Sequence, residues 1–168
     1  MKRILAAALA AFMILSSVSL VFAGGLYDET YLRVYDETGL FSDKDLSDLQ
    51  AYSASCAELY GLDFVLACIE ETSYDDSYTM DDFAAELYEA GLYGYGKDRD
   101  GAVAVYCPAT REVHVKLFGR AQRLIDEDYV AYIEAHAYSD FYEKFGDWGV
   151  LYYPLGMIAA ECRDNEVT

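Results

Sequence analysis

The spacing of apolar positions divides the first half of the chain into segments of helical and of strand period. After a short alternating stretch at 32–35 and a turn, Ser42 and Asp45 form a shortened capping box that begins a helix through Leu59. The nearly continuous apolar run 62–69 predicts a strand that is buried on both faces. Thr79 with Asp82 then indicates the start of a second helix, which ends near residue 91.

In the second half, the pattern indicates a hairpin followed by helices. The loop 94–101 combines glycines, which allow sharp turns, with two aspartates, and it leads into the apolar strand 102–107. The segment 112–118 alternates cleanly, so we expect it to pair with that strand. Asp126 begins a long helix, and an apolar helix follows at about 149–162. This order predicts an α/β fold, a three-layer α/β/α sandwich around a small mixed sheet.

The first residues have the features of an export signal. A basic start precedes an apolar core, 4–15, and Val21-Phe22-Ala23 has the form of a small-residue cleavage site. We therefore expect a signal peptide at 1–23 and one domain at 24–168, either secreted or associated with the cell envelope. The run 4–23 is also long enough to remain as an anchor, so membrane attachment is expected only if the signal is not cleaved.

The chain is strongly acidic, with 30 acidic and 12 basic residues and a net charge of −18. Cleavage of the signal removes two basic residues and no acidic one, which takes the net charge to −20. This charge argues against nucleic acid and anionic membrane surfaces as partners, because binding phosphate requires positive charge. Cations and basic proteins are the complementary ligands, although acidity also serves solubility alone.

Four cysteines follow the signal segment: Cys56, Cys68, Cys107 and Cys162. An even number in an exported chain permits two disulfides, but each cysteine also fits an ordinary small core residue. Cys68 and Cys107 lie at the ends of predicted strands and could be bridged if those strands are neighbours. The sequence leaves the pairing open, and no spacing matches a pair of zinc ligands.

Taken in order, these segments resemble the TPM domain family over about 32–157. The matching pieces are Val34 to Ser42 with the helix after it, the strand Phe64 to Ile69, the helix Phe83 to Tyr88, the loop Gly94 to Gly101 with its strand, Arg111 and Gly119. One departure is Ala121, where the family usually has a glycine. The resemblance implies an α/β sandwich whose acidic loops bind calcium or a similar divalent cation, and a plant member is described as an acid phosphatase.

Carried onto this sequence, the resemblance gives three candidate metal ligands: Asp36, Asp98 and Asp100. Asp36 is expected to approach the loop 94–101 in space and to complete a weak calcium site there. The alternative for Asp36 is a hydrogen bond to its own turn, which is common for aspartate. Arg99 would compete for the carboxylates unless its side chain points away.

The sequence contains little that indicates catalysis. Both histidines, His114 and His136, fit surface positions, and no nucleophile elbow, phosphate-binding loop or zinc-protease motif occurs. We therefore favour an accessory or protein-interaction module that binds a divalent cation and contacts an envelope or extracellular protein. The alternative is a metal-assisted acid phosphatase, in which Arg99 and Arg111 are the available cations; whether the protein is an enzyme stays open.

Overall fold

The computed structural model describes residues 32–75 and 77–166, so the predicted signal peptide and Asp76 lie outside the described residues. The elements in chain order are β1 (Val34–Asp36), α1 (Asp43–Tyr60), β2 (Asp63–Cys68), a 3-10 turn (Glu71–Ser73), α2 (Met80–Ala90), β3 (Gly101–Cys107), β4 (Glu112–Phe118), α3 (Arg120–Leu124) and α4 (Glu127–Glu166). Both predicted capping boxes are present, Ser42 with Asp45 and Thr79 with Asp82. Among these elements, α3 is a helix that the apolar pattern did not predict.

The four strands form one sheet in the order β1-β2-β3-β4, in which the first three strands are parallel and β4 is antiparallel to β3. The predicted mixed sheet and the β3–β4 hairpin are therefore confirmed. At one end of the sheet Asp36 lies level with Cys68, which lies level with Tyr106. We call this the carboxyl end of the sheet, and the opposite end, where Asp63 lies level with Gly101, the amino end.

Helices cover both faces of the sheet, which confirms the three-layer α/β/α sandwich. In β2, Phe64 and Leu66 pack with α1 and α4 in one buried cluster, whereas Val65 and Ala67 pack with α2 in another. Every residue of β2 and of β3 is buried. Since both faces are covered, these two strands have continuous apolar sequences and not alternating ones.

Helix α4 is sharply broken at Gly146, whose backbone angles, φ 63° and ψ −163°, lie outside the helical region. A side chain disfavours this conformation, so glycine suits the position. The two arms of α4, before and after Gly146, fold back on each other, and the rings of Phe141 and Tyr153 stack with their centroids 4.3 Å apart. The Asn165 side chain, near the end of α4, donates a hydrogen bond to the Leu124 carbonyl of α3 at 2.9 Å. Within the described residues, no helix is long and apolar enough to cross a membrane.

All four cysteines are buried as free thiols in this structure. Strands β2 and β3 are neighbours, as a bridge between Cys68 and Cys107 would require. However, Cys68 belongs to the cluster on one face of the sheet and Cys107 to the cluster on the other. A disulfide needs its two Cβ atoms within about 4.5 Å and directed towards each other, so this arrangement does not permit a bridge between them.

A buried ion pair joins β1 to β2 at the amino end of the sheet. Arg33 Nε lies 2.6 Å from Asp63 Oδ1, and each side chain is only 7% exposed. Asp63 Oδ2 accepts from the Gly94 amide at 2.9 Å, and the Asp63 amide donates to the Asp100 carbonyl at 2.9 Å. A Cβ on Gly101 would overlap the Asp63 carbonyl oxygen, so the close approach of these strands requires glycine there.

Removal of the Asp63 charge should strongly destabilise the fold. Asp63→Asn keeps the shape of the side chain but removes the negative charge that lies 2.6 Å from the buried Arg33 side chain. We expect a loss of about 3–5 kcal/mol in the free energy of unfolding, measured by urea denaturation. Asp48→Asn is the matched control, because Asp48 pairs with Lys44 while the two side chains are 50% and 81% exposed. That substitution should cost less than about 1 kcal/mol, and equal losses for the two variants would contradict the importance of the buried pair.

Candidate functional site

The three predicted ligand residues lie at two different ends of the sheet. Asp36 is the last residue of β1, at the carboxyl end, whereas Asp98 and Asp100 precede the first residue of β3, at the amino end. Through the register of the sheet, Asp36 lies level with Tyr106 of β3, and Tyr106 comes six residues after Asp100. At about 3.3 Å per residue along a strand, the two aspartates are therefore roughly 20 Å apart. The expected approach of Asp36 to the loop 94–101 is therefore wrong, because parallel strands place the end of one and the start of another at opposite ends of a sheet.

The Asp36 carboxylate organises the turn that follows β1. Its Oδ1 accepts from the Thr38 amide at 3.0 Å and from the Thr38 hydroxyl at 2.7 Å, and its Oδ2 accepts from the Phe41 amide at 2.9 Å. Partial burial opposes ionisation, but these hydrogen bonds outweigh it and hold the pKa of Asp36 below its ordinary value. This is the turn role that the sequence offered as the alternative. A carboxylate has about four acceptor positions, so Oδ2 retains capacity for one further ligand.

A second carboxylate, Asp147, belongs to the same end of the sheet. It follows the break in α4 and accepts at Oδ1 from the buried Tyr106 hydroxyl at 2.6 Å. The Cys68 thiol lies near both carboxylates: burial, followed by the charges of Asp36 and Asp147, raises the pKa of Cys68 to about 12. The Thr38 hydroxyl is 3.3 Å from the Cys68 sulfur. This thiol is therefore protonated at neutral pH and unsuited to nucleophilic chemistry.

A shallow groove of about 450 Å³ opens beside Asp36 at the carboxyl end. Its lining comes from the three loops that follow β1, β2 and β3: Thr38, Gly39, Leu40, Ile69, Glu70, Glu71, Pro108 and Ala109. Arg111, in the β3–β4 turn, lies nearby with its guanidinium carbon 5.3 Å from the centre of the Tyr138 ring. In open α/β sheets, ligands bind beyond the carboxyl ends of parallel strands, and this groove has that position.

The loop 94–101 supports the fold at the amino end. Arg99 points away from the two aspartates and donates to the Tyr93 carbonyl at 2.7 Å and to the Tyr88 carbonyl at 2.9 Å, near the end of α2. Asp100 Oδ1 accepts from the Arg120 amide at 2.5 Å, where α3 begins, and Asp98 is exposed. The loop therefore joins α2, β3 and α3 at the amino end of the sheet.

Within the described residues, no three histidine, cysteine, aspartate or glutamate side chains stand close enough to hold a metal ion. Ligation of a metal by Asp36, Asp98 or Asp100 stays a prediction. A hard cation such as calcium takes six to eight oxygen ligands, so a site built on one or two carboxylates would depend on water and backbone oxygens. The carboxyl end offers Asp36 and Asp147 with the Glu70 and Glu71 loop, which fits weak binding and not a tight closed site.

A family model, that of the TPM domain, matches residues 34–149, which include all four strands and most of the helices. The chain belongs to the TPM domain family. The earlier resemblance, which was based on the order of the loops and strands, is confirmed.

Two solved structures share the fold of this TPM domain at low sequence identity. One is the N-terminal domain of a protein from P. gingivalis, solved by NMR in solution, with a TM-score of 0.64 and 13% sequence identity. The match covers 81% of this chain and 85% of the P. gingivalis domain. The other is the N-terminal domain of a Corynebacterium glutamicum protein, also solved by NMR, with a TM-score of 0.54 and 12% sequence identity. That match covers 86% of this chain and 88% of the C. glutamicum domain. A comparison with curated proteins gave no match.

Asp147 is the site residue that the sequence reasoning missed. It lies 111 residues after Asp36 in the chain and reaches the carboxyl end only because α4 reverses at Gly146. The available signal was Gly146 followed by an acidic residue, which is a pattern for the end of one helix and the start of the next. Read in that way, the pattern would have divided α4 at the correct residue.

Asp36 should stabilise the TPM domain in a pH-dependent manner. Asp36→Ala removes the acceptor of three hydrogen bonds, and we expect it to lower the free energy of unfolding at neutral pH by about 1–3 kcal/mol. Because the folded pKa is lowered, this contribution is complete above the ordinary carboxyl pKa of about 3.9 and is lost as pH falls through the folded pKa. Urea denaturation over an acidic pH series measures the contribution of Asp36 to the free energy of unfolding, and Asp98→Ala, at an exposed position, is the control. A difference from wild type that stays constant down to the lowest pH would contradict this role.

Proposed function

We propose that this TPM domain is an accessory module outside the cytoplasm that binds a divalent cation weakly at the carboxyl end of its sheet and contacts a protein partner there. The observation that carries the proposal is that Asp36, at the end of β1, and Asp147, which is hydrogen-bonded to Tyr106 near the end of β3, lie at the same end of the sheet as the groove. Calcium is the expected ion, since carboxylate and carbonyl oxygens are its usual ligands. The placement differs from the sequence-based one, because Asp98 and Asp100 lie at the amino end.

The charge of the chain supports a cation as ligand. Acidic residues outnumber basic ones by 30 to 12, and the carboxyl end carries Asp36, Glu70, Glu71 and Asp147 against Arg111. An electrostatic potential of this sign raises the local concentration of cations and repels phosphate-rich ligands. Because both Asp36 and Asp147 already accept hydrogen bonds, a bound ion would keep part of its hydration shell, and the affinity should be modest.

Exposed aromatic side chains support contact with a protein at the same end. Tyr142 and Phe145 lie immediately before the break in α4 and are 40% and 45% exposed, although the Tyr142 ring stacks on Tyr138 at 4.6 Å. Tyrosine and phenylalanine are enriched in the buried centres of protein interfaces. An exported location follows from the predicted signal peptide and is part of the proposal.

Calcium titration with NMR detection tests the cation site. Adding calcium chloride to ¹⁵N-labelled protein should shift the amide signals of Asp36, Thr38 and Asp147, and Asp36→Asn should weaken the response. Asp100→Asn is the matched control, because Asp100 is also a hydrogen-bonded aspartate beside a strand but lies at the amino end. Shifts confined to 98–100, or no shifts, would contradict the proposed site.

Metal-assisted hydrolysis of phosphoesters is the second candidate function. The observation in its favour is Arg111, a cation at the same end of the sheet as Asp36 and Asp147, since phosphoryl transfer needs positive charge to stabilise the phosphate oxygens. Arg99, the other cation expected from the sequence, is committed to carbonyl groups at the amino end. A bound metal would supply activated water or Lewis acidity at this position.

Assay of the purified protein with p-nitrophenyl phosphate and calcium or magnesium tests this second function. Turnover should be lost in Asp36→Ala and strongly reduced in Arg111→Ala, and it should persist in Asp100→Ala. Turnover that is equal in all three variants would come from a contaminating phosphatase and would exclude the function.

A further inference from the structure

His114 lies between two carboxylates that come from opposite layers of the sandwich. It belongs to β4, the strand at one edge of the sheet. Its Nδ1 is 2.8 Å from Glu134 Oε1 on α4, and its Nε2 is 3.1 Å from Asp81 Oδ1 on α2. The histidine side chain is 25% exposed. One imidazole ring therefore contacts both helical layers at the edge of the sheet.

Both contacts can be hydrogen bonds only when the ring carries two protons. A neutral imidazole has one N–H and one nitrogen lone pair, and that lone pair would face a carboxylate. Glu134 Oε1 also accepts from the Val115 amide at 2.8 Å, so Glu134 covers an outward-facing N–H of the edge strand. We propose that His114 is a pH-sensitive tie that, when protonated, bonds both α2 and α4 to the edge strand and, when deprotonated, loses its own bond to α2 while Lys116 keeps its ion pair with Asp81.

The other charged groups around His114 share its partners or line the groove beside it. Lys116, two residues along the same strand, has its Nζ 2.6 Å from Asp81 Oδ2 and so shares that carboxylate with the histidine. Glu112 and Asp75 line the adjacent groove of about 530 Å³. Glu112 accepts from the Tyr74 hydroxyl at 2.5 Å. Four carboxylates thus surround two cations, a balance that favours the protonated ring.

Asp81 is the contact that deprotonation breaks. It has a second partner in Lys116 and is 51% exposed, whereas Glu134 is 27% exposed and lies closer to the ring. A neutral ring therefore keeps its Nδ1–H bond to Glu134 and loses the bond to Asp81. Glu134 still accepts from the Val115 amide, so the α4 side of the edge keeps its contacts, and the α2 side keeps the ion pair between Lys116 and Asp81.

The direction of the pH effect follows from the charges. Burial disfavours the protonated ring, but Glu134 and then Asp81 outweigh it and raise the pKa of His114 above the ordinary 6.5. The protonated His114 ring therefore stabilises the folded state fully below about pH 6.5, and this stabilisation is lost as pH rises through the pKa of His114 in the folded state.

NMR titration of the His114 ring tests the tie. The His114 midpoint should exceed the ordinary histidine value of about 6.5, and the Asp81 carboxyl carbon should show an inflection at the same midpoint. Asp81→Asn and Glu134→Gln should each lower the midpoint. Lys116→Met should raise it, because that change removes a cation that competes for Asp81 and leaves both histidine contacts in place.

The stability of the folded protein gives a second readout. Wild type should lose stability across the His114 midpoint in urea denaturation, and His114→Gln should lose that dependence while His136→Gln keeps it. If His114→Gln does not fold, the His114 midpoint in wild type and its change in Lys116→Met still test the proposal. A His114 midpoint at or below the ordinary value of about 6.5, or one that moves in the same direction in Asp81→Asn and Lys116→Met, would overturn the proposal.

Discussion

The ion pair between Arg33 and Asp63 is the contact on which the arrangement of the sheet depends. It is buried beside the start of β1 and β2, and the same aspartate binds the Gly94 amide and, through its own amide, the Asp100 carbonyl. Charges so far from water are tolerated only when their hydrogen bonds are satisfied. The amino end of the sheet is therefore closed by polar contacts between distant segments, which fixes the loop 94–101 as part of the structure.

Because polar contacts close the amino end, we place the proposed site at the carboxyl end. There the loops after three parallel strands meet the break in α4, and they bring Asp36, Tyr106 and Asp147 to one surface. The same break folds the two arms of α4 against each other over the sheet, so a single glycine affects both the core and the site. Fold and candidate site are coupled in this TPM domain through the geometry of that helix.

Much of the local structure could be predicted because it depends on neighbours in the chain. Ser42 and Thr79 begin helices through side chains three residues away, and the apolar run of β2 gives a strand that is covered on both faces. The errors have a common cause. Helix α3 and the place of Asp147 depend on how segments pack after they form, which apolar spacing alone does not encode, whereas the break at Gly146 confirms the predicted division into two helices between 141 and 149.

The sequence by itself determined the order of helices and strands, the acidic character of the chain and its resemblance to the TPM family. Each of these follows from composition or from contacts within a few residues. Only the tertiary structure decided which acidic residues share a surface, because strand direction in a sheet is set by long-range hydrogen bonding. Parallel pairing sent Asp36 and Asp100 to opposite ends, and the reversal of α4 at Gly146 brought Asp147 to the end that carries Asp36. The loop that looked most like a ligand site in the sequence forms, in the structure, a junction between α2, β3 and α3.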